Sequence, residues 1–162
     1  MKYLKYIFLV FYIFITLVIF IKALENGETS TTSSNQVTDV IVDAIDNILP
    51  GEKSITDKFD IDDIKFFIRK AIGHFGIFLI LGIFSTLTYF YFINKKSLSI
   101  IITIIVGVIT AALSELFQAI PDGRSPAFTD ILIDCGGYFL AVVSIWLIIY
   151  LSYYIKLKRS SK

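Results

Sequence analysis

The chain is poor in the residues that build cross-linked folds and metal centres. It has one cysteine, one histidine and three prolines among 162 residues. A single cysteine excludes an intrachain disulfide framework, and a small buried apolar residue is the simplest interpretation of Cys135. With one histidine, the sequence offers no second imidazole or thiol at the ligand spacing of a zinc site. We therefore assign no metal and leave any cofactor unknown.

An excess of charge of one sign is also missing. Fifteen lysines and arginines nearly balance 14 aspartates and glutamates, and the net charge of +1 gives no reason to expect a nucleic-acid partner. The sequence contains no internal repeat and no glycine-rich nucleotide loop. Apolar residues are abundant instead: 56% of the chain is hydrophobic and the mean hydropathy is +0.75. A soluble core of this size could not bury that much apolar surface, so we expect a bilayer.

Four apolar stretches are long enough to cross a bilayer, which takes about 20 residues. They are Tyr3–Ile21, Ala71–Ile93, Leu98–Ile120 and roughly Ala127–Ile155, and none contains a proline. The first begins like a signal peptide, but the small-residue cleavage pattern is missing after it. We interpret it as a retained anchor.

Basic residues predict the orientation, because short loops rich in lysine and arginine stay cytoplasmic. They occupy the N-terminus, the turn between the second and third spans and the C-terminal tail: Lys2, Lys5, Lys95, Lys96, Lys156, Lys158, Arg159 and Lys162. The stretch 25–70 instead holds ten acidic and five basic residues. We therefore expect a multi-pass membrane protein with both termini in the cytoplasm.

The acidic stretch between the first two spans subdivides by composition. Residues 29–35 are serine- and threonine-rich without apolar content, which predicts a flexible linker. An amphipathic helix follows, ended by Pro50-Gly51, with these apolar positions: Val37, Val40, Ile41, Ala44, Ile45 and Ile48. A weaker pattern over residues 57–68 leads into the second span. The acidic faces of both helices disfavour binding to anionic lipid, so we favour a lid over the outer mouth of the bundle rather than helices in the interfacial plane.

The predicted fold is all-α: a polytopic membrane bundle of four transmembrane helices with an extracytoplasmic amphipathic helical segment. Residues 1–24 form the first anchor and residues 25–68 the acidic outer segment. Residues 69–156 form a three-helix transmembrane domain, and residues 157–162 form a basic cytoplasmic tail.

Polar side chains cluster near the outer ends of the last three spans. Each ionisable group at the centre of a membrane helix costs about 2.5–3.5 kcal/mol, and less near the ends, so each requires a partner. The set contains three pairs that share a helical face, and one residue in a tight turn: Lys70 and His74, Glu115 and Gln118, Asp130 and Asp134, and Arg124. Spacing alone leaves open interhelical fasteners, a ligand site or, more weakly, a metal site. Helix capping alone would explain Asp130.

These residues carry a resemblance to a known family. The matching segments are Arg69-Lys70-Ala71-Ile72-Gly73-His74-Phe75, Ser114-Glu115-Leu116-Phe117-Gln118, Gly123-Arg124-Ser125 and Asp130-Ile131-Leu132-Ile133-Asp134 with Gly136 and Gly137. In this order they resemble the VanZ-like family of small bacterial membrane proteins. The motifs cover residue 69 to about residue 141. Pro121-Asp122 departs slightly from the pattern.

The resemblance implies a cell-envelope role, because the founding member is associated with resistance to teicoplanin, an antibiotic with an acyl tail. It selects the same seven residues as the spacing. The candidate catalytic residues are His74, Glu115 and Asp130, and the candidate substrate-binding residues are Lys70, Gln118, Arg124 and Asp134.

Three functions follow as expectations. The first is an outward pocket that binds a membrane lipid or a lipid-linked small molecule and lowers susceptibility to lipoglycopeptides. The second is a membrane-embedded hydrolase or transferase, with His74 or Glu115 as acid or base. The third is a small oligomeric transporter, although a polar layer near one face is unlike the midplane sites of transporters. Whether the protein is an enzyme, and its oligomeric state, stay open.

Overall fold

The computed structural model describes residues 3–48 and 59–160, which are almost entirely helical and contain no strand. The elements, in chain order, are α1 (Leu4–Ala23), α2 (Gly27–Ile48), α3 (Ile61–Ile68), a π-helical segment (Arg69–Gly76), α4 (Ile77–Phe92), α5 (Lys96–Gln118) and α6 (Phe128–Ser160). The predicted all-α class is confirmed.

Four helices of the described ranges are long and apolar enough to cross a membrane. They are Leu4–Ala23, Ile61–Phe92, Lys96–Gln118 and Phe128–Ser160. The four predicted spans are therefore confirmed. The second begins earlier than its apolar stretch, because α3, the π-helical segment and α4 follow one another without a break.

The spans run alternately in opposite directions. Near the start of α1, the Lys5 ammonium lies 4.9 Å from the ring centroid of Phe92, at the end of α4. At the other end of α1, Arg124 donates to the Lys22 carbonyl over 2.8 Å. We call the end formed by Lys22, segment 69–76 and connection 119–127 the polar end. The opposite end, with Lys5 and the 94–97 turn, is the basic end.

Helix α4 lies against α1, α5 and α6, and Tyr138 of α6 is the buried polar centre of this packing. Its hydroxyl lies 2.7 Å from Ser85 Oγ and donates to the Thr103 carbonyl over 2.9 Å. Two glycines make room for it: a Cβ on Gly82 would lie 2.7 Å from the Tyr138 carbonyl oxygen, and one on Gly107 would overlap the Tyr138 ring. Small residues thus let these helices approach closely, as is usual between membrane helices.

The serine- and threonine-rich stretch 29–35 is not a linker. It forms the first part of α2, so the linker prediction is wrong. Its start is held in place because the Thr29 amide donates to Asn26 Oδ1 over 2.8 Å and the Gly27 amide donates to the Asp122 carbonyl over 2.9 Å. The predicted end of this helix, Pro50-Gly51, lies outside the described residues.

The weaker amphipathic pattern before the second span forms α3. Asp60 caps its first turn by accepting from the Asp62 amide over 2.8 Å. Helix α3 leads directly into the membrane span, as predicted, while residues 57 and 58 of the pattern lie outside the described residues. The π-helical form of residues 69–76 was not predicted.

Candidate functional site

The π-helical segment directs Lys70 and His74 toward one carboxylate on α6. The Lys70 ammonium pairs with Asp130 Oδ1, and His74 Nε2 lies 3.4 Å from Asp130 Oδ2. The predicted shared face of Lys70 and His74 is therefore confirmed. π-Helical turns occur frequently at functional sites, because they change the direction of a side chain without ending the helix.

The other imidazole nitrogen of His74 faces two further carboxylates. Nδ1 lies 3.1 Å from Asp134 Oδ1 and 3.9 Å from Glu115 Oε1. His74, Glu115 and Asp134 are all buried, with 8%, 1% and 1% of their surfaces exposed. Three carboxylates, from Glu115, Asp130 and Asp134, therefore surround the His74 imidazole. The four side chains come from three membrane spans.

Gly137 brings α6 close enough for these contacts. A Cβ at this position would lie 3.0 Å from the carbonyl carbon of Phe75 and closer still to its oxygen. Phe75 follows His74, and Gly137 lies one helical turn after Asp134. The glycine of the motif is therefore explained by the close approach of two backbones beside the His74–Asp134 hydrogen bond.

Glu115 ties α5 to the start of α6. Its Oε2 accepts from the Ala127 amide over 3.0 Å, and its Oε1 accepts from Gln118 Nε2. Gln118 in turn accepts from Arg124 through Oε1 over 2.5 Å. A hydrogen-bonded chain therefore runs from Arg124 through Gln118 to Glu115, beside His74.

Arg124 also joins the connection to α1. It donates to the carbonyl oxygens of Lys22, in the last turn of α1, over 2.8 Å and of Glu25, in the connection that follows, over 3.5 Å. Its Nε is buried and has no partner in the described part of the chain. Burial lowers the pKa of the Arg124 guanidinium, and the positive charge of Arg69 lowers it further.

A cavity of about 460 Å³ opens beside this network at the polar end. Its polar lining comes from five helical elements and two connections: Lys22, Glu25, Ser30, Ser33, Ser34, Arg69, His74, Ser114, Gln118, Arg124 and Asp134. Its apolar lining includes Ile19, Ile72, Ile77 and Phe78. The serines of α2, from the stretch predicted to be a linker, line this cavity together with Val37. The lid role of the outer helices stays a prediction.

The seven predicted site residues meet, but they occupy two layers. His74, Gln118, Arg124 and Asp134 line the cavity. The other three are absent from its described lining: Lys70 and Asp130 pair with each other, and Glu115 is bonded to Gln118 and Ala127. Their assignment to catalysis or substrate binding stays a prediction.

Sequence reasoning missed Arg69 and the serines of α2 as cavity residues. Lys70 was chosen because it is four residues before His74, whereas the exposed Arg69 is the cation of this pair that lines the cavity. The serines carried a signal, because Ser30, Ser33, Ser34 and Val37 follow the i, i+3, i+4, i+7 spacing of one helical face. A search for amphipathic helices follows apolar residues, so it does not detect a helical face made mostly of serines.

A second cavity of about 580 Å³ adjoins the first and is almost entirely apolar. It lies between α2 and α3, and its lining includes Ile41, Ile45 and Phe67. Ile68 and Ile72 line both cavities. A charged site and an apolar cleft are therefore separated by two side chains.

The family model described as VanZ/LLP1 matches residues 8–150, which include most of α1 and all of α2 as well as the motif segments. No curated protein and no solved structure matches the chain.

Proposed function

Since the chain belongs to the VanZ/LLP1 family, we propose that this membrane protein binds the anionic head group of a lipid-linked or lipid-tailed molecule at the outer leaflet. Through this binding it lowers susceptibility to lipoglycopeptide antibiotics such as teicoplanin. The observation that carries the proposal is the cavity of about 460 Å³, which has two guanidinium groups in its lining and an apolar cleft beside it.

The charges favour an anionic ligand. Arg69 is exposed in the cavity lining and forms no ion pair with another described residue. Arg124 keeps one buried donor, Nε, without a partner. Guanidinium groups suit phosphate and carboxylate because their donors form a planar fork. Serine hydroxyls of α2 add further donors around the same volume.

The apolar surfaces favour a ligand with a tail. Ile68 and Ile72 separate the charged cavity from the second, apolar one. A molecule with its charged group beside Arg69 could place a hydrocarbon chain across these two residues, removing apolar surface from water at about 25 cal/mol per Å². Head group and tail would then bind to adjacent parts of one site.

The distribution of basic residues supports an outward-facing cavity. The basic end carries Lys5, Lys95 and Lys96, and the last turns of α6 carry Lys158 and Arg159. The positive-inside rule then makes that end cytoplasmic, and the polar end with its cavity faces outward.

The test is a comparison of antibiotics in a strain that lacks the gene. Reintroducing the wild-type chain should raise the inhibitory concentration of teicoplanin more than that of a glycopeptide without an acyl tail. The Arg69→Gln variant should lose most of this protection, whereas Arg159→Gln, which removes an exposed guanidinium near the C-terminus, should keep it. Equal protection against tailed and untailed glycopeptides would contradict the proposal, and so would full protection by Arg69→Gln at wild-type membrane levels.

One observation favours a second candidate, a hydrolase or transferase that acts on such a lipid. His74 lines the cavity and lies between two carboxylates, at 3.1 Å from Asp134 and 3.4 Å from Asp130, which suits a general base or acid oriented by its neighbours. The lipid extract of a His74→Ala strain should then accumulate a substrate. An unchanged lipid profile would speak against turnover.

A further inference from the structure

Three buried atoms that carry lone pairs converge at the polar end. One atom each from His74, Glu115 and Asp134 lies within 4.8 Å of the other two. The shorter separations are 3.1 Å from His74 Nδ1 to Asp134 Oδ1 and 3.9 Å from Nδ1 to Glu115 Oε1. Bonds of about 2.0–2.2 Å to a shared metal ion place nitrogen and oxygen ligands at similar mutual distances.

The surroundings of His74 favour Nδ1 as a ligand atom. Its other nitrogen, Nε2, lies 3.4 Å from Asp130 Oδ2, and Asp130 is itself paired with Lys70. Without an ion, Nδ1 is hydrogen-bonded to Asp134 Oδ1. When an ion binds, the imidazole proton would stand on Nε2, facing Asp130, and the lone pair of Nδ1 would bind the ion in place of that hydrogen bond. Metal-binding histidines commonly donate their second N–H to a carboxylate in this way.

The Glu115 and Asp134 carboxylates favour the binding of a cation. No lysine or arginine of the described ranges lies within ion-pair distance of Glu115 or Asp134, although both are 1% exposed. Arg124 reaches Glu115 only through Gln118. Two buried carboxylates without an adjacent cation are costly, and a divalent ion between them would compensate both charges.

An unpaired oxygen gives independent support. Asp134 Oδ2 is buried and accepts no hydrogen bond from any described residue. His74 and Asp134 also line the cavity, so an ion could enter from it. Glu115, by contrast, is held from behind by Gln118 and the Ala127 amide, which orient its carboxylate.

We propose that His74, Glu115 and Asp134 bind a divalent transition-metal ion, Zn²⁺ or Mn²⁺, with an open coordination position toward the cavity. One imidazole and two carboxylates suit both ions. Three protein ligands and one open position are typical of metal sites that bind a substrate. This inference goes beyond the proposed function and does not depend on it, since ion binding can be measured without a lipid.

The test uses the full chain in detergent, stripped with a chelator and then titrated with Zn²⁺ or with Mn²⁺. We expect about one bound ion per chain and a higher unfolding temperature in its presence. Asp134→Asn should weaken binding by at least about 100-fold, because even residues behind the ligands cost 10–100-fold. Asp62→Asn, which changes an exposed carboxylate on α3, should bind like the wild type.

Two results would overturn the proposal: no stoichiometric binding of either ion by the wild-type chain, or binding by Asp134→Asn as tight as that of the wild type. If Asp134→Asn does not fold, the visible absorption spectrum of the wild-type chain loaded with Co²⁺ tests the site instead. Visible absorption bands of protein-bound Co²⁺ that Zn²⁺ or Mn²⁺ displaces would support the site, and their absence would exclude it.

Discussion

His74 on the π-helical segment and Asp134 on α6 share a buried hydrogen bond of 3.1 Å across 60 residues of sequence. It joins the two spans at a close approach of their backbones, beside the contact of Gly137 with Phe75. The imidazole is thereby held where its second nitrogen reaches Asp130.

Gly137→Ala should separate α6 from the π-helical segment. The added methyl would lie 3.0 Å from the Phe75 carbonyl carbon, in a contact that only backbone movement can relieve, so we expect a loss of about 1–3 kcal/mol of stability. Thermal unfolding in detergent measures it. Gly136→Ala is the matched control, because its methyl would meet the Phe75 ring at 3.8 Å, an ordinary contact. Equal unfolding temperatures for the two variants would contradict the close approach.

Lys70 and Asp130 should be energetically coupled. Lys70→Met leaves the Asp130 carboxylate, 5% exposed, without its ammonium partner, so we expect a loss of about 1–3 kcal/mol. The double variant Lys70→Met/Asp130→Asn should lose less than the sum of the single variants, with an interaction free energy of about 0.5–3 kcal/mol. The measurement is the free energy of chemical unfolding in detergent for the wild type, the two single variants and the double variant. Strict additivity would show that the pair contributes no net interaction.

Tyr138→Phe removes the hydroxyl that lies 2.7 Å from Ser85 Oγ and donates to the Thr103 carbonyl. We expect a loss of about 1 kcal/mol, because Ser85 keeps a second acceptor in the Gly82 carbonyl and only one side-chain donor disappears. Tyr150→Phe, at a position 63% exposed, serves as control and should leave the unfolding temperature unchanged. A larger effect of Tyr150→Phe than of Tyr138→Phe would be inconsistent with this packing.

The orientation can be tested by labelling single cysteines with a membrane-impermeant maleimide in intact cells. In a Cys135→Ser chain, Asp122→Cys at the polar end should be labelled, because Asp122 is exposed in the structure and the charge distribution predicts that this end is extracytoplasmic. Lys95→Cys, exposed at the basic end, should be labelled only after the cells are opened. Labelling of Lys95→Cys in intact cells would reverse the orientation and remove the outward-facing cavity.

Much of the site could be predicted from helical spacing. Pairs such as Lys70 and His74 share a face because their separation follows from local geometry, and burial in a membrane requires charged groups to meet partners. Arg69 could not be chosen in this way. Which of two adjacent cations lines a cavity depends on the π-helical turn, and that turn has no clear pattern in the sequence.

The amino-acid sequence alone determined the four spans, because a segment crosses the bilayer when its apolar stretch is long enough, and that length is a local property of the sequence. It also determined which polar residues had to find partners. The tertiary structure alone decided that Glu115 and Asp134 face the same imidazole nitrogen. It also decided that Arg124 donates to the Lys22 carbonyl at the end of α1 and that the serines of α2 line a cavity. These contacts join residues far apart in the chain, so they depend on how the helices pack rather than on the spacing within any one of them.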